Sequence, residues 1–254
     1  MESQFVKQPI MPYLQIMRLT KPWGIMLLAW PTLTALLLSQ SSFNIINWMI
    51  FIIGIVLTRS LGCVINDYAD QWLDGGVART ATRPLVNGTL SPQQAIYLFL
   101  ILAILSLSLL YFLPLTVLPI VFISALLIMI YPYTKRYIKA PQLFLGIVFS
   151  MGTPMAYFTN HHPLDISFYG FFLLNFLSVV IYDTIYAMED RCDDLKKGAN
   201  SLAIYLGKSS LSFVRWGYTI LSKGFILWGY YQGFNLYYYL LLLHYFIITI
   251  TNIK

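Results

Sequence analysis

The sequence predicts an all-α fold, a polytopic membrane helix bundle of about eight transmembrane helices. Three observations lead there. Hydrophobic residues make up 58% of the 254 positions and the mean hydropathy is +0.69, whereas a soluble globule carries about 45–50% apolar residues. Apolar runs of about 20 residues, long enough to cross ~30 Å of hydrocarbon as a helix, recur from end to end. These runs lack the residue-by-residue alternation of a membrane β-barrel, so helices must satisfy their backbone groups in lipid.

The spans fall near residues 24–38, 45–65, 95–112, 115–131, 143–158, 167–188, 211–230 and 236–249. Ser91, Pro92 and Gln94 supply an N-cap, a first-turn proline and a capping-box glutamine for the third. Gly-Gly at 75–76, Arg83-Pro84 and Asn87-Gly88 mark the preceding segment as a loop. The tyrosines at 230–231 and 237–239 read as an interfacial aromatic belt, and Lys223, inside the seventh span, is expected to face the bundle or snorkel.

Lys7, Arg18 and Lys21 precede the first span, and Arg79 and Arg83 follow the second. Lys135, Arg136 and Lys139 follow the fourth, and Arg191, Lys196, Lys197, Lys208 and Arg215 follow the sixth, while the intervening connections carry no basic residue. Cytoplasmic loops are enriched in Lys and Arg, so the amino terminus and these loops are expected in the cytoplasm. The net charge of +6 fits this bias and anionic headgroups and gives no reason to invoke nucleic acid. The first span lacks a signal-peptide cleavage pattern and is expected to be retained. Cys63 and Cys192 are too few for a metal framework and read as reduced packing residues.

Eight of the ten carboxylates lie in two clusters, Asp67, Asp70 and Asp74, and Asp183, Glu189, Asp190, Asp193 and Asp194. Intramembrane acids are expensive and mark function. Arg59, Asn66, Asp67, Asp70 and Asp74 recur at helical spacing and share one face; Asp183, Tyr186, Glu189 or Asp190, and Asp194 repeat the pattern. Each cluster closes an even-numbered span, so both emerge on one side. This reads as two four-helix repeats around a central cavity, each giving one acidic helix end. Paired acidic faces suit Mg²⁺, which keeps part of its shell for water and phosphate oxygens. Arg79, Arg83 and Lys135, expected in the loops over the same cavity, point to a diphosphate as the balancing anion; signalling of topology is the plainer reading of a loop cation.

The blocks that contain these residues carry a resemblance. They are 59–74, with Arg59 and Asn66-Asp67; 79–85, with Arg79 and Arg83-Pro84; 131–136, with Tyr131 and Lys135; and 182–194. With Arg18, Lys21-Pro22 and Trp30-Pro31-Thr32, they resemble the UbiA superfamily of intramembrane prenyltransferases, and within it the 4-hydroxybenzoate polyprenyltransferases of ubiquinone synthesis. The resemblance covers roughly residues 18–207. It implies that Asp67, Asp70, Asp74, Asp183, Asp190 and Asp194, with Asn66, hold Mg²⁺ on a polyprenyl diphosphate. Arg79, Arg83, Tyr131 and Lys135 would bind its phosphates. Arg59 would grip the carboxylate of 4-hydroxybenzoate, against the alternative of a structural pair with a nearby aspartate. Tyr186 would line the carbocation, and Asp183 would accept or polarise the phenolic proton. The implied reaction is electrophilic aromatic substitution ortho to the hydroxyl, with the prenyl tail in an apolar groove open to lipid.

The resemblance also implies one prenyltransferase domain over 1–254, in a bacterial inner membrane, with its active site toward the cytoplasm and no obligate protein partner. Members usually have nine spans, so this chain is expected to lack the last and to be weakened. Three rivals remain: a prenyltransferase of another acceptor, such as a naphthoate; a membrane phosphatase or phosphotransferase; and a cation-coupled transporter, whose site would be expected near the midplane at broken helices.

Overall fold

The computed structural model describes residues 10–75 and 80–252. Among these the regular structure is helical, and all eight expected spans are present as helix. In order they are α1 Met11–Ile16, α2 Trp23–Ser39, α3 Ile45–Ala69, α4 Gln71–Asp74, α5 Pro92–Ser108, α6 Leu118–Tyr137, α7 Pro141–Ser150, α8 Gly152–Thr159, α9 Ile166–Glu189, α10 Arg191–Lys197, α11 Leu202–Leu206, α12 Ser210–Tyr231 and α13 Leu236–Asn252. Stretches 45–69, 92–112, 115–137 and 166–189 are each long and apolar enough to cross a membrane; α2 and α13 are shorter and apolar.

The helices group into two compact units, Met1–Trp30 with Asn44–Leu113, and Pro31–Phe43 with Pro114–Lys254. The division does not follow the boundary between the two expected repeats, because α6, the fourth span, belongs to the second unit.

In the first unit α3 packs along α5 and against α1. Asn44 starts α3 by accepting hydrogen bonds from the backbone N–H of Ile46 and Asn47, at 3.0 and 3.3 Å. The expected capping box starts α5: Ser91 N–H donates to Gln94 Oε1 at 2.9 Å, and Gln94 N–H to Ser91 Oγ at 3.2 Å. These bonds satisfy helix-end donors that lipid cannot.

In the second unit α9 is central, packed by α7, α11 and α12, with Val179, Val180 and Ile181 fully buried. The α7 backbone closes on it at Gly146, where a Cβ would stand 2.8 Å from Phe176 Cδ2. A small residue at a membrane helix contact permits this approach. Asn175 Nδ2 donates to Ser150 Oγ at 3.1 Å, pairing two polar groups inside the helix contact.

The single fifth span expected over 143–158 is two helices, α7 and α8, jointed at Met151. Pro154 has no N–H to continue the α7 ladder, which accounts for the break. α6 runs to Tyr137, so Lys135 stands on its last turn and not in a loop. Lys223 is exposed and does not face the bundle. Cys192 is also exposed, so only Cys63 is a packing residue. Tyr238, one of the tyrosines of the expected aromatic belt, is half-buried, and its hydroxyl donates to Phe225 O at 2.9 Å.

Candidate active site

The first unit gathers its acids where α3 meets α4. α3 ends at Ala69 with Asp70 as its C-cap, yet the helical bonding persists across the joint. Asp70 N–H donates to Asn66 O, and Asp74 N–H to Asp70 O, both at 2.9 Å. The 67–70–74 spacing thus survives the bend. Asp67, Asp70 and Asp74 are buried, with 2%, 1% and 4% of their surface exposed.

Three buried carboxylates require compensation. Arg18 donates to both oxygens of Asp67, at 2.8 and 3.1 Å. Arg83 Nη1 lies 3.0 Å from Asp67 Oδ1 and also pairs with Asp74 Oδ2, so one guanidinium bridges two acids. Thr80 Oγ1 donates to Asp74 O at 2.9 Å, and Arg83 N–H to Thr80 O at 3.0 Å, which ties Thr80 and Arg83 to the end of α4. Arg79 lies outside the described residues.

Arg18 was missing from the expected site residues. It follows α1 with φ of 59°, a left-handed conformation unusual for arginine. Ser60 Oγ donates to Met17 O at 3.4 Å and anchors this turn to α3. Only the resemblance around residue 18 signalled it, because its partner lies 49 positions away.

Arg59 stands two turns before Asn66 on α3, and its guanidinium lies against the backbone of Gly24 on α2. Its Nε is buried.

The second unit repeats the joint. Asp190 is the C-cap of α9, its N–H donating to Tyr186 O at 3.1 Å, and Asp194 N–H donates to Asp190 O at 2.9 Å. Asp183, Asp190 and Asp194 are half-buried. α10 stops at Gly198 with φ of 71°, where Ala199 N–H donates to Asp194 O at 3.0 Å; a left-handed glycine ends a helix without Cβ strain. Arg191 Nη1 donates to Gly207 O at 3.1 Å and holds α10 in place. On α9, Tyr182 hydroxyl donates to Tyr186 hydroxyl at 3.1 Å, with ring centroids 5.0 Å apart. Tyr182 is a partner that the spacing argument passed over, although the two stand four residues apart. Tyr131 and Lys135 share the last turns of α6, where Asn200 Nδ2 donates to Lys135 O at 3.1 Å.

Among the described residues no three His, Cys, Asp or Glu side chains stand close enough to hold an ion. In the first unit a cation already occupies the space between Asp67 and Asp74, namely the Arg83 guanidinium. The donor set nevertheless fits a hard divalent ion: the buried Oδ1 of Asn66 makes no hydrogen bond, beside a face of carboxylates. Carboxylate and carbonyl oxygens are what Mg²⁺ takes.

Residues 28–252 match the model of the UbiA prenyltransferase family. The chain belongs to this family. Among its relatives, the 4-hydroxybenzoate octaprenyltransferase of Legionella pneumophila (strain Paris) is 42% identical over 230 residues, covering 90% of this chain and 82% of that one. A UbiA homolog from Aeropyrum pernix K1, solved in its apo form, superposes with a TM-score of 0.78 at 22% identity, covering 91% of this chain and 90% of that one. Another UbiA homolog, from Archaeoglobus fulgidus and bound to GPP and Mg²⁺, gives 0.75 at 14% identity, with 94% and 85% covered. At such identities the likeness concerns the fold, and the fold is the UbiA helical bundle. As a UbiA member with several long apolar helices, the chain is an integral membrane protein.

Proposed function

We propose that the protein transfers a polyprenyl group from an all-trans polyprenyl diphosphate to the ring carbon ortho to the hydroxyl of 4-hydroxybenzoate, releasing diphosphate, in ubiquinone biosynthesis. The observation that carries this reading is the 42% identity, over 90% of the chain, with a 4-hydroxybenzoate octaprenyltransferase. The whole of 1–254 acts as one prenyltransferase domain in a bacterial inner membrane. Its amino terminus and active site face the cytoplasm, as the one-sided Lys and Arg distribution suggests.

Asp67, Asp70, Asp74 and Asn66, and Asp183, Asp190 and Asp194, are the residues that would hold Mg²⁺ on the diphosphate. Bound Mg²⁺ supplies electrostatic stabilisation of the departing anion. Arg83, Lys135, Tyr131 and Arg79 bind phosphate oxygens, and Arg83 exchanges its carboxylate partners for phosphate as the donor enters. The allylic C–O bond breaks with its electron pair going to diphosphate. The π face of Tyr186 stabilises the positive carbon left behind, and Tyr182 orients that ring through the hydroxyl contact.

Arg59 holds the acceptor's carboxylate by a forked, charge-assisted contact. The ring carbon beside the phenol then forms the new C–C bond, and transfer of its proton to the released diphosphate restores aromaticity. Asp183 polarises the phenolic O–H and raises the ring's electron density. The apolar tail needs no polar contact and is accommodated among lipid-facing helices.

The test uses membranes containing the protein, incubated with Mg²⁺, geranyl or longer prenyl diphosphate and labelled 4-hydroxybenzoate. The expected result is a labelled product that extracts into organic solvent and disappears in Asp67→Asn. Absence of that product, or faster labelling of a naphthoate acceptor, would overturn the assignment. Arg59→Ala is expected to raise the acceptor KM far more than the donor KM, whereas an equal rise in both would make Arg59 structural.

A further inference from the structure

On α2 the guanidinium of Arg59 lies against the bare Cα of Gly24. An ideal Cβ built at Gly24 would stand 2.6 Å from Arg59 Nη2, 2.9 Å from Nε and 3.1 Å from Cζ. Ordinary contact for such atoms is about 3.5–4.0 Å, so the planar group occupies the volume that any side chain at position 24 would fill. Gly24 is an ordinary helical residue without a positive φ. Its lack of a side chain is therefore not needed for backbone conformation, and what it provides is room.

We infer that Gly24 is a positioning residue for the aromatic acid: its open face seats the Arg59 guanidinium so that the forked edge is presented to the substrate carboxylate. The inference rests on the reading of Arg59 as the acceptor's anchor. An alanine at 24 leaves α2 intact, since alanine is the better helix former. It displaces the guanidinium by about 1 Å, because the arginine side chain yields more readily than two helix backbones. A bidentate contact is geometrically strict, so the carboxylate is lost as a recognition element while the charge stays nearby. Donor binding, which uses other residues, is untouched.

The experiment compares 4-hydroxybenzoate with its methyl ester as acceptors, in full-length wild type, Gly24→Ala, Arg59→Ala and the double variant. The ratio of kcat/KM for acid over ester does not depend on how much folded enzyme a preparation contains. Gly24→Ala is expected to lower that ratio about tenfold or more, as an ångström-scale misplacement does. Its KM for prenyl diphosphate is expected to stay within about twofold, and adding it to Arg59→Ala to change the ratio by no more than about twofold. An unchanged ratio in Gly24→Ala, with a lowered ratio in Arg59→Ala, overturns the role of Gly24 alone. An unchanged ratio in Arg59→Ala overturns the acceptor site beneath it. Should Gly24→Ala not fold, Gly24→Ala with Arg59→Lys is compared with Arg59→Lys. Equal yield and melting temperature in that pair support the guanidinium clash, and continued misfolding refutes it.

Discussion

At the joint between α3 and α4, Asp70 closes one helix and Asp74 follows four residues later. At the joint between α9 and α10, Asp190 and Asp194 do the same, and both following aspartates donate their N–H to the joint aspartate's carbonyl at 2.9 Å. The backbones are built alike, but the acids lie at different depths. The first joint is buried and holds Arg18 and Arg83 on its acids. The second is half-exposed, and at its surface the exposed Lys196 pairs with Asp193 at 3.3 Å. A bent helix end thus suffices to present carboxylates one turn apart at either depth, and the buried set carries two guanidiniums on its acids, as buried charge requires.

The largest effect separates function from stability at the two joints. Asp67→Asn and Asp190→Asn are each expected to lower prenyl transfer by about 10³-fold, the scale for removing one electrostatic stabiliser. Asp67→Asn should also destabilise the fold, by about 3 kcal/mol, because it leaves Arg18 and Arg83 facing a neutral amide; this is the low end for breaking a buried pair, since Arg18 is 30% exposed. Asp190→Asn should cost less, because water screens a half-exposed carboxylate. Chemical denaturation in detergent, beside the activity assay, reads both. Equal stability losses would erase the contrast drawn here.

Arg83→Ala comes next. It removes the bridge between Asp67 and Asp74 and should cost about 2 kcal/mol of stability, as loss of one partner of a part-buried charge pair does. The donor KM should rise as well. Arg83→Lys keeps the charge without the planar fork and should recover only part of either property. A full recovery would show that charge alone, not the bridge, matters.

Smaller effects belong to the second joint. Gly198→Ala places a Cβ at a left-handed position and should cost about 1 kcal/mol with little change in donor KM, as measured by melting and by initial rates. Lys196→Ala removes an exposed i,i+3 pair and should change stability by less than about 0.5 kcal/mol. A larger loss at Lys196 would mean that solvent does not screen this pair.

Much of this was legible in the residues. Runs of apolar side chains located all eight helical spans, since a lipid-crossing segment has little freedom in length or composition. The capping box at Ser91 and Gln94 was readable because its partners are three residues apart. The acidic faces followed from helical spacing, which the joints at Asp70 and Asp190 bend without breaking. What escaped depends on distance along the chain or on packing. No local pattern links Arg18 to Asp67. The extension of α6 through Tyr137 escaped because polar helix turns look like loop, and the contact of Arg59 with Gly24 exists only once α2 lies against α3.

The proposed function has the aspartates of each joint serve as Mg²⁺ ligands. The most direct test titrates Mg²⁺ against product formation in Asp74→Glu and Asp194→Glu, which keep a carboxylate on an arm one methylene longer. The account expects both variants to retain activity but to need about tenfold more Mg²⁺ for half-maximal rate, as displaced carboxylate ligands would require. A wild-type Mg²⁺ requirement in either variant would contradict it.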